Sequence, residues 1–528
     1  MQNVHLRGGL LLDGSGAPAR RADVLCDGGR IVAIDEDLTL GGEIIECEGL
    51  TLCPGFIDTH SHSDLLVLAD PDLPMKARQG VTLDVLGQDG ISVVPVRDAD
   101  VEATRKKLSG LLGDPAVPRD FRSVGDYLDV LDRGASINTA YLVPHGAVRS
   151  YVMGDDDRSP TENELAAMVA LVGSGMSEGA LGMSTGLIYP PCCYAATDEL
   201  VALCREVAAR GGVFVVHMRS ESDRILDAVG EMLDVARRSG VHLHLSHLKI
   251  AGQKNWPLVE KMVETVEEAR ASGVRVTADQ YPYVAGSTML AAILPPWAHA
   301  GGVEAAIGRL GSPASRPKLR AAMQHEGPNE WDSFWAWTGP EGIVISDVPS
   351  GKRPEVIGKT VAAAAAAVQQ DPLDFALDLL LSERLGAAMI SFSQTEAVME
   401  RLMRLPWVNA CTDGLLGGRP HPRAFGSFPR LLGRYARDEG KISLPEMVRK
   451  MTSQAADAMH LPERGRVAVG FAADLVAFDA ATVADTATFE DPIRYPVGIE
   501  HVLVAGEAVV LNGTPTGARP GRTVRHEG

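Results

Sequence analysis

Cysteine is scarce in this sequence: seven residues among 528, none of them in a CxxC pair. That number and that scatter exclude a disulfide framework. The adjacent Cys192 and Cys193 read as packing beside a loop. Long apolar runs are missing too. No window reaches eighteen consecutive apolar residues, and the N-terminus has no basic stretch leading into an apolar one. A membrane-spanning helix and a secretory leader are therefore not expected, and the cytoplasm is the expected location. Positive charge is in deficit, with 50 Lys and Arg against 69 Asp and Glu and a net charge of −19, so nucleic acid and anionic membranes are poor partners. What is present is length and apolar content, 528 residues at 45% hydrophobic, enough for one barrel-sized domain and a lesser one.

The two ends share a texture. Residues 4 to about 52 hold the short alternating segments VHLRGGLLL, ADVLCDGGRIVAID and EIIECEGLTL, and the far end holds ADLVAFD and EHVLVAGEAVVLNG. Alternation of this kind reads as strands. Neither set is large enough for a core of its own, so residues 1–53 and 464–528 are expected to form one composite β-sandwich domain. Two separate hairpin appendages are the alternative.

Residues 54–463 alternate helices with strands. Three helical stretches end at Gly211, Gly240 and Gly273, residues suited to a left-handed C-cap, and lead within a residue or two into VFVVHMR, VHLHLSHLK and VRVTADQYPY. Strands counted this way end near His62, Asp89, His145, Thr185, His217, His247, Asp279 and Asp413. Eight strands of a parallel βα array close a (β/α)₈ TIM-like barrel. The stretch 290–350, rich in Pro, Trp and Gly, reads as an inserted subdomain near the barrel mouth, with the helices after it returning to the barrel.

The polar residues fall where a barrel places its active site. PGFIDTHSHSD, from Pro54 to Asp64, ends an apolar run in His60 and His62, whose spacing of two puts both imidazoles on one strand face. Val213, Val215 and His217 share a face, as do Leu243, Leu245 and His247, whereas His242 and His244 point the other way and read as structural. His60, His62, Asp89, His217, His247 and Asp413 are hard or borderline ligands on five strand ends, a set suited to Zn²⁺ or another divalent ion with a position left open for water. Such an ion lowers the pKa of its water and polarises a carbonyl, so amide hydrolysis becomes feasible, with Asp413 the best general base and acid. Asp279 reads as an orienting group, and His145 and His421 have both functional and structural readings.

HSH after PGFID, the later strand-end histidines, the TDG aspartate and GRVAVGFAADLVAFDAATV resemble the amidohydrolase superfamily. STGLIYPP, VVHMRSE, LSHLKIAG, DQYPYVAGST and HPRAFGSFPR are closely similar to motifs of the N-acyl-D-amino-acid deacylases, the D-aminoacylases, and the resemblance runs over nearly the whole chain. It implies removal of the acyl group from an N-acyl-D-amino acid at a zinc site. It further implies that His217 and His247 hold the tighter metal and that His60, His62 and Asp413 form a second site. Substrate would be bound by Lys249, Tyr189, Tyr281, Ser287 and Arg423. A physical reading agrees for Lys249 and Arg423, two cations suited to fixing a free α-carboxylate. One departure stands out: the family's second-strand motif is typically GNCG, with a ligating cysteine, and this chain reads Gly87-Gln88-Asp89-Gly90. An aspartate is the harder ligand, able to change metal preference or favour a two-metal site.

Two other readings follow from the same residues. A hydrolase of a cyclic imide, lactam or dipeptide would use the same metal site without needing Arg423 and Lys249 near it. A non-catalytic binding protein on this fold would be expected to have lost ligands, which this chain has not. The expected partner is a small-molecule substrate. The sequence leaves the oligomeric state open, and a homo-oligomer is compatible with it.

Overall fold

The computed structural model describes residues 3–39, 42–118, 121–325 and 331–526. Eight short parallel strands form its barrel: β1 (Phe56–Asp58), β2 (Val81–Leu86), β3 (Asn138–Tyr141, resuming as Val143–Pro144), β4 (Gly182–Gly186), β5 (Val213–His217), β6 (His242–Leu245), β7 (Val276–Gln280) and β8 (Val408–Ala410). They neighbour one another in chain order. The ring closes between the ends of β1 and β8, where Ser61 bridges Gly414 and the Asp413 N–H donates to His60 O at 2.8 Å. The strands are those expected from the sequence. Gly182 shows how tightly they approach, because a Cβ there would lie 1.9 Å from Val213 O.

Helices pack outside the strands in the βα order the sequence gives. Helix Ile225–Ser239 buries Ile225, Val229, Met232, Leu233 and Ala236, a stripe at helical spacing. Its C-cap is Gly240, at φ +77°. Fully burying each such aliphatic side chain stabilises the fold by about 1.5–3 kcal/mol.

A buried ion cluster ties the closing seam. Lys76 Nζ donates to Asp58 on β1, to Asp84 Oδ1 on β2 at 3.2 Å, to Ser61 Oγ at 2.9 Å and to Thr412 Oγ1 at 3.1 Å. Lys76, Asp58 and Asp84 are all fully buried. Asp58 also accepts from the backbone N–H and hydroxyl of Thr412, so the first two strands and the end of the last are held together directly beneath the histidine loop.

Both termini enter one nine-stranded sheet, in the order Thr514–Pro515, Glu507–Leu511, Ile499–Val504, Leu475–Phe478, Thr51–Pro54, Val4–Leu11, Arg20–Asp27 and Arg30–Asp35, with Glu43–Glu46 also on Val4–Leu11. The last residues leave that sheet and run along the barrel. Gly521 N–H donates to Ala135 O, Val524 N–H to Thr139 O and His526 N–H to Gly179 O.

Between β7 and β8 a three-stranded antiparallel sheet forms from Gly286–Met289, Ala388–Ser391 and Ile343–Asp347. Around it lies a separate apolar cluster reaching from Leu290 to Met389. The 290–350 stretch is only the first part of this unit. Helices Val361–Ala367 and Pro372–Ser382, expected to return to the barrel, bury Val361, Leu373, Phe375 and Leu379 in the same cluster. Strand Ala388–Ser391 is the central strand of the small sheet, and that pairing draws the helices before it away from the barrel. Among the described residues no helix is long and apolar enough to cross a membrane.

Candidate metal centre and active site

The candidate ligands sit at or just past strand ends, His217 closing β5 itself, and three of them have an unusual backbone. Asp89, His247 and Asp413 have φ of +56°, +34° and +49°. Non-glycine residues in the left-handed region carry strain of about 1–3 kcal/mol, and such residues concentrate at functional sites. Gly87, at φ +76°, begins the Asp89 turn, where a Cβ would lie 2.3 Å from Leu142 O. Asp279, at the end of β7, accepts from the His247 N–H with one oxygen and from Thr59 Oγ1 (2.7 Å) with the other. It orients the turn carrying His247, as its sequence context suggested.

The six expected ligands meet in one buried cluster. Asp89 lies at its centre, with Oδ1 3.5 Å from His60 Nε2 and 3.7 Å from His247 Nε2. Its Oδ2 is 3.6 Å from His62 Nε2 and 3.9 Å from His217 Nδ1. Asp413 Oδ1 lies 3.3 Å from His62 Nε2 and 3.8 Å from His60 Nε2, and His217 Nδ1 stands 3.0 Å from His247 Nε2. Among the described residues three triads have their ligand atoms within 4.8 Å of one another: His60–Asp89–His247, His60–His62–Asp413 and His217–Glu221–His247.

The donor set fits a divalent cation. His60 Nδ1 and Nε2, His62 Nδ1, Asp89 Oδ1 and His217 Nε2 are buried with no hydrogen-bond partner, although buried polar atoms are almost always bonded. A cation among these imidazoles and ionised carboxylates would satisfy the lone pairs that face it. Burial and Lys249 pull His247 down, but Glu221, Asp413 and Asp89 raise it to about 10. Burial pushes His217 down to about 4, with His247 and Lys249 adding to the effect, so it stays neutral as a ligand must. Burial alone would raise the Asp413 carboxyl, but Arg423 and His247 hold it well below the usual carboxylate range.

Glu221 was not singled out in the sequence. It follows His217 by four residues and is buried, with Oε1 3.1 Å from His247 Nδ1 and 2.6 Å from Lys249 Nζ, and Oε2 3.5 Å from His217 Nε2. Burial would raise it, but Lys249 and the two histidines hold it well below the usual range. The only available signal was the His-to-Glu spacing in VVHMRSE.

The expected substrate residues surround this cluster. Arg423 is fully buried, with Nη1 2.8 Å from Asp413 Oδ2 and Nη2 donating to Ser287 O at 2.9 Å, while its Nε has no partner. Its guanidinium lies 4.5 Å from the centre of the Tyr281 ring, and Lys249 Nζ lies 5.8 Å from it. Tyr281 Oη accepts from Gln394 Nε2 at 2.9 Å. Tyr189 sets its ring edge against His217 and shares a 2.8 Å hydrogen bond with Thr288 Oγ1. Ser287 reaches the site through its carbonyl, since its hydroxyl donates to Met389 O at 3.0 Å. His145 stands apart, between Thr185 Oγ1 and Glu199 Oε1. His421 donates its Nε2–H to Ala285 O at 3.0 Å and accepts the Arg423 N–H at Nδ1, so it positions the arginine. His242 and His244 contact Thr277 Oγ1, and neither joins the cluster, though His244 Nε2 also lies 3.0 Å from Asp279 Oδ2 behind the His247 turn.

A buried site of strand-end histidines and aspartates on a (β/α)₈ barrel invites comparison with known proteins, and the amidohydrolase family profile matches residues 43–510. The chain belongs to the amidohydrolase family. Among curated amidohydrolase relatives it is 35% identical to a D-aminoacylase of Alcaligenes xylosoxydans xylosoxydans over 98% of this chain and 96% of that one. It is 36% identical to an N-acyl-D-glutamate deacylase of the same organism, over 99% and 96%. Among solved structures it resembles the N-acyl-D-glutamate deacylase of Bordetella bronchiseptica, complexed with zinc and a phosphonate mimic of the tetrahedral intermediate, with TM-score 0.84, 33% identity and 99% of each chain covered. It also resembles a D-aminoacylase described as having a binuclear metal centre, with TM-score 0.82, 34% identity and 99% of each chain covered.

Proposed function

We propose that this amidohydrolase is a zinc-dependent deacylase that removes the acyl group from N-acyl-D-amino acids, a linear amide hydrolase. The observation that carries the reading is the position of two buried cations, Arg423 and Lys249, against the metal-type cluster. Each already pairs with a carboxylate, Arg423 with Asp413 and Lys249 with Glu221. Arg423 Nε, however, is buried with no partner, so the guanidinium keeps a donor for a further anion, and a free α-carboxylate is such an anion. A cyclic neutral amide would leave that donor unsatisfied.

His217 and His247 would hold one ion and His60, His62 and Asp413 a second, with Asp89 a further ligand among them. When bound, the metal lowers the pKa of water and polarises the scissile carbonyl. Asp413 is ionised and able to take the proton from the attacking water and pass it to the leaving nitrogen. Arg423, through its unpartnered Nε, and Lys249 hold the α-carboxylate, with Tyr281 under the guanidinium and Tyr189 against His217. Glu221 orients the histidines of the first site.

The same proposal places the composite terminal domain at 1–53 and 464–528 and the barrel at 54–463, with the insert lengthened to 286–391. The cytoplasmic location and the absence of nucleic-acid or membrane partners are carried from the sequence as parts of it; the oligomeric state stays open, a homo-oligomer being compatible with the sequence.

The test is metal content by elemental analysis together with amine release from paired N-acetyl-D- and N-acetyl-L-amino acids. Bound zinc with D-selective release is expected. Bound metal with no release from any member of the panel would replace this reading with a cyclic or larger amide.

A further inference from the structure

The inserted unit meets the cluster's surroundings at a polar point that the deacylase reading does not use. Asp332, just ahead of helix Phe334–Thr338, is 5% exposed and accepts three hydrogen bonds from a single loop. Ser220 Oγ donates at 2.6 Å, the Glu221 backbone N–H at 2.7 Å and Ser222 Oγ at 2.7 Å. Among the described residues no cation forms an ion pair with it. A carboxylate taken out of water without a cation is costly unless hydrogen bonds replace its hydration, and here all three replacements come from the loop after β5. That loop is braced from within, since Ser220 Oγ also accepts the backbone N–H groups of Ser222 and Arg224, each at 3.2 Å.

Glu221 stands at the middle of the loop: its Oε1 bonds His247 Nδ1 and Lys249 Nζ, which itself lies 2.7 Å from His247 Nδ1, and its Oε2 stands 3.5 Å from His217 Nε2. A carboxylate on the ring nitrogen that does not bind metal fixes the tautomer and direction of a ligating histidine, and losing it weakens metal binding by about 10–100-fold. The loop's backbone decides where that carboxylate points, and Asp332 takes the N–H of Glu221 itself.

We propose that Asp332 is a positioning residue that fastens the inserted unit to the 220–222 loop and thereby sets the Glu221 carboxylate orienting His217 and His247. The proposal rests on the metal-site reading above. It makes metal affinity depend on a side chain that touches no ligand and lies more than a hundred residues beyond the loop it holds.

The experiment measures zinc affinity of the full-length enzyme by competition with a chelator, and kcat and KM on an N-acyl-D-amino acid. It compares the wild type with Asp332→Ala, Asp332→Asn, Glu221→Gln and the Asp332→Ala/Glu221→Gln pair. Asp332→Ala is expected to weaken zinc about tenfold and to lower kcat more than it raises KM. Asp332→Asn should fall between, because its amide oxygen still accepts the serine hydroxyls while its NH₂ faces the Glu221 N–H. The double variant should lose no more than Glu221→Gln alone, since both act through one carboxylate. Wild-type zinc affinity in Asp332→Ala, or additive losses in the pair, would overturn the proposal. If Asp332→Ala does not fold, Ser220→Ala/Ser222→Ala removes two of the three bonds from the loop side. A smaller loss of zinc affinity there supports the proposal, and an unchanged affinity overturns it. A wild-type protein that takes up no divalent ion would instead remove the metal-site reading, and the role of Asp332 with it.

Discussion

Arg423 Nη1 lies 2.8 Å from Asp413 Oδ2, so the guanidinium proposed to hold the substrate also holds the proposed base. A single cation therefore serves binding and proton transfer, and removing it cannot act on binding alone. Arg423→Ala is expected to raise KM tenfold or more for N-acyl-D-amino acids and to lower kcat in the same variant, on the order of a charge-assisted bond lost from a buried site. An N-acyl amine without the carboxylate should lose only the kcat part. Steady-state kinetics on both substrates checks this; an unchanged kcat would separate the two functions.

Removing metal should abolish turnover, and added zinc should restore it. His217→Ala and His247→Ala are expected to lose metal and activity together, as read by elemental analysis of each purified variant beside its amide-hydrolysis rate. Full activity in a metal-free variant would sink the mechanism.

Asp89 occupies the turn where a ligating cysteine is typical of this family's resemblance pattern. A carboxylate is a harder donor than a thiolate, so Asp89→Cys is expected to shift uptake from harder ions such as Mn²⁺ towards softer ones such as Zn²⁺. Loading both proteins from an equimolar mixture and counting ions per chain gives the answer. Identical content and preference would mean that Asp89 does not coordinate.

Lys76 is buried between Asp58 and Asp84 under the barrel seam. Lys76→Met leaves two buried carboxylates without their cation and should cost about 3–5 kcal/mol of stability. Denaturant midpoints measure it, and a loss below about 1 kcal/mol would show that the seam does not depend on this cluster.

His242 gives a pH signature away from the metal. Burial pushes its imidazole down to about 3, and the adjoining His460, His244, Arg275 and Arg270 add to the effect. As pH falls below about 6.5, the unfolded chain takes up the proton first, so stability drops by about 1.4 kcal/mol per pH unit until the folded value is reached. His242→Gln should flatten the curve between pH 6.5 and 5 by about 2 kcal/mol relative to wild type. Coincident curves would refute the assignment. Metal loss on acidification affects both proteins, and their difference isolates this residue.

The barrel and its candidate ligands were legible because each repeats a local rule: a helix closed by a glycine, a short apolar strand, a polar residue at its end. His60, His62, Asp89, His217, His247 and Asp413 each announce themselves within one such unit. Glu221 did not, because nothing in VVHMRSE says that its carboxylate will reach the histidines of two neighbouring strands. The pairing of Arg423 with Asp413 depends on how the helix after β8 sits, and Ser287 turns its hydroxyl to Met389 because the small sheet pairs those two strands. The extent of the insert was hidden for the same reason, since the central place of Ala388–Ser391 is a fact of long-range pairing and not of composition.

The nine-stranded sheet has a consequence for how the protein is made. Its N-terminal strands leave the ribosome early, yet Thr51–Pro54 pairs with Leu475–Phe478, near the other end of the chain. During most of synthesis that edge has no mate, a state prone to pairing with the wrong strand. A polypeptide cut short after the barrel would carry all six candidate ligands and an uncovered β edge, so the arrival of Leu475–Phe478, and not of the candidate site residues, closes that edge.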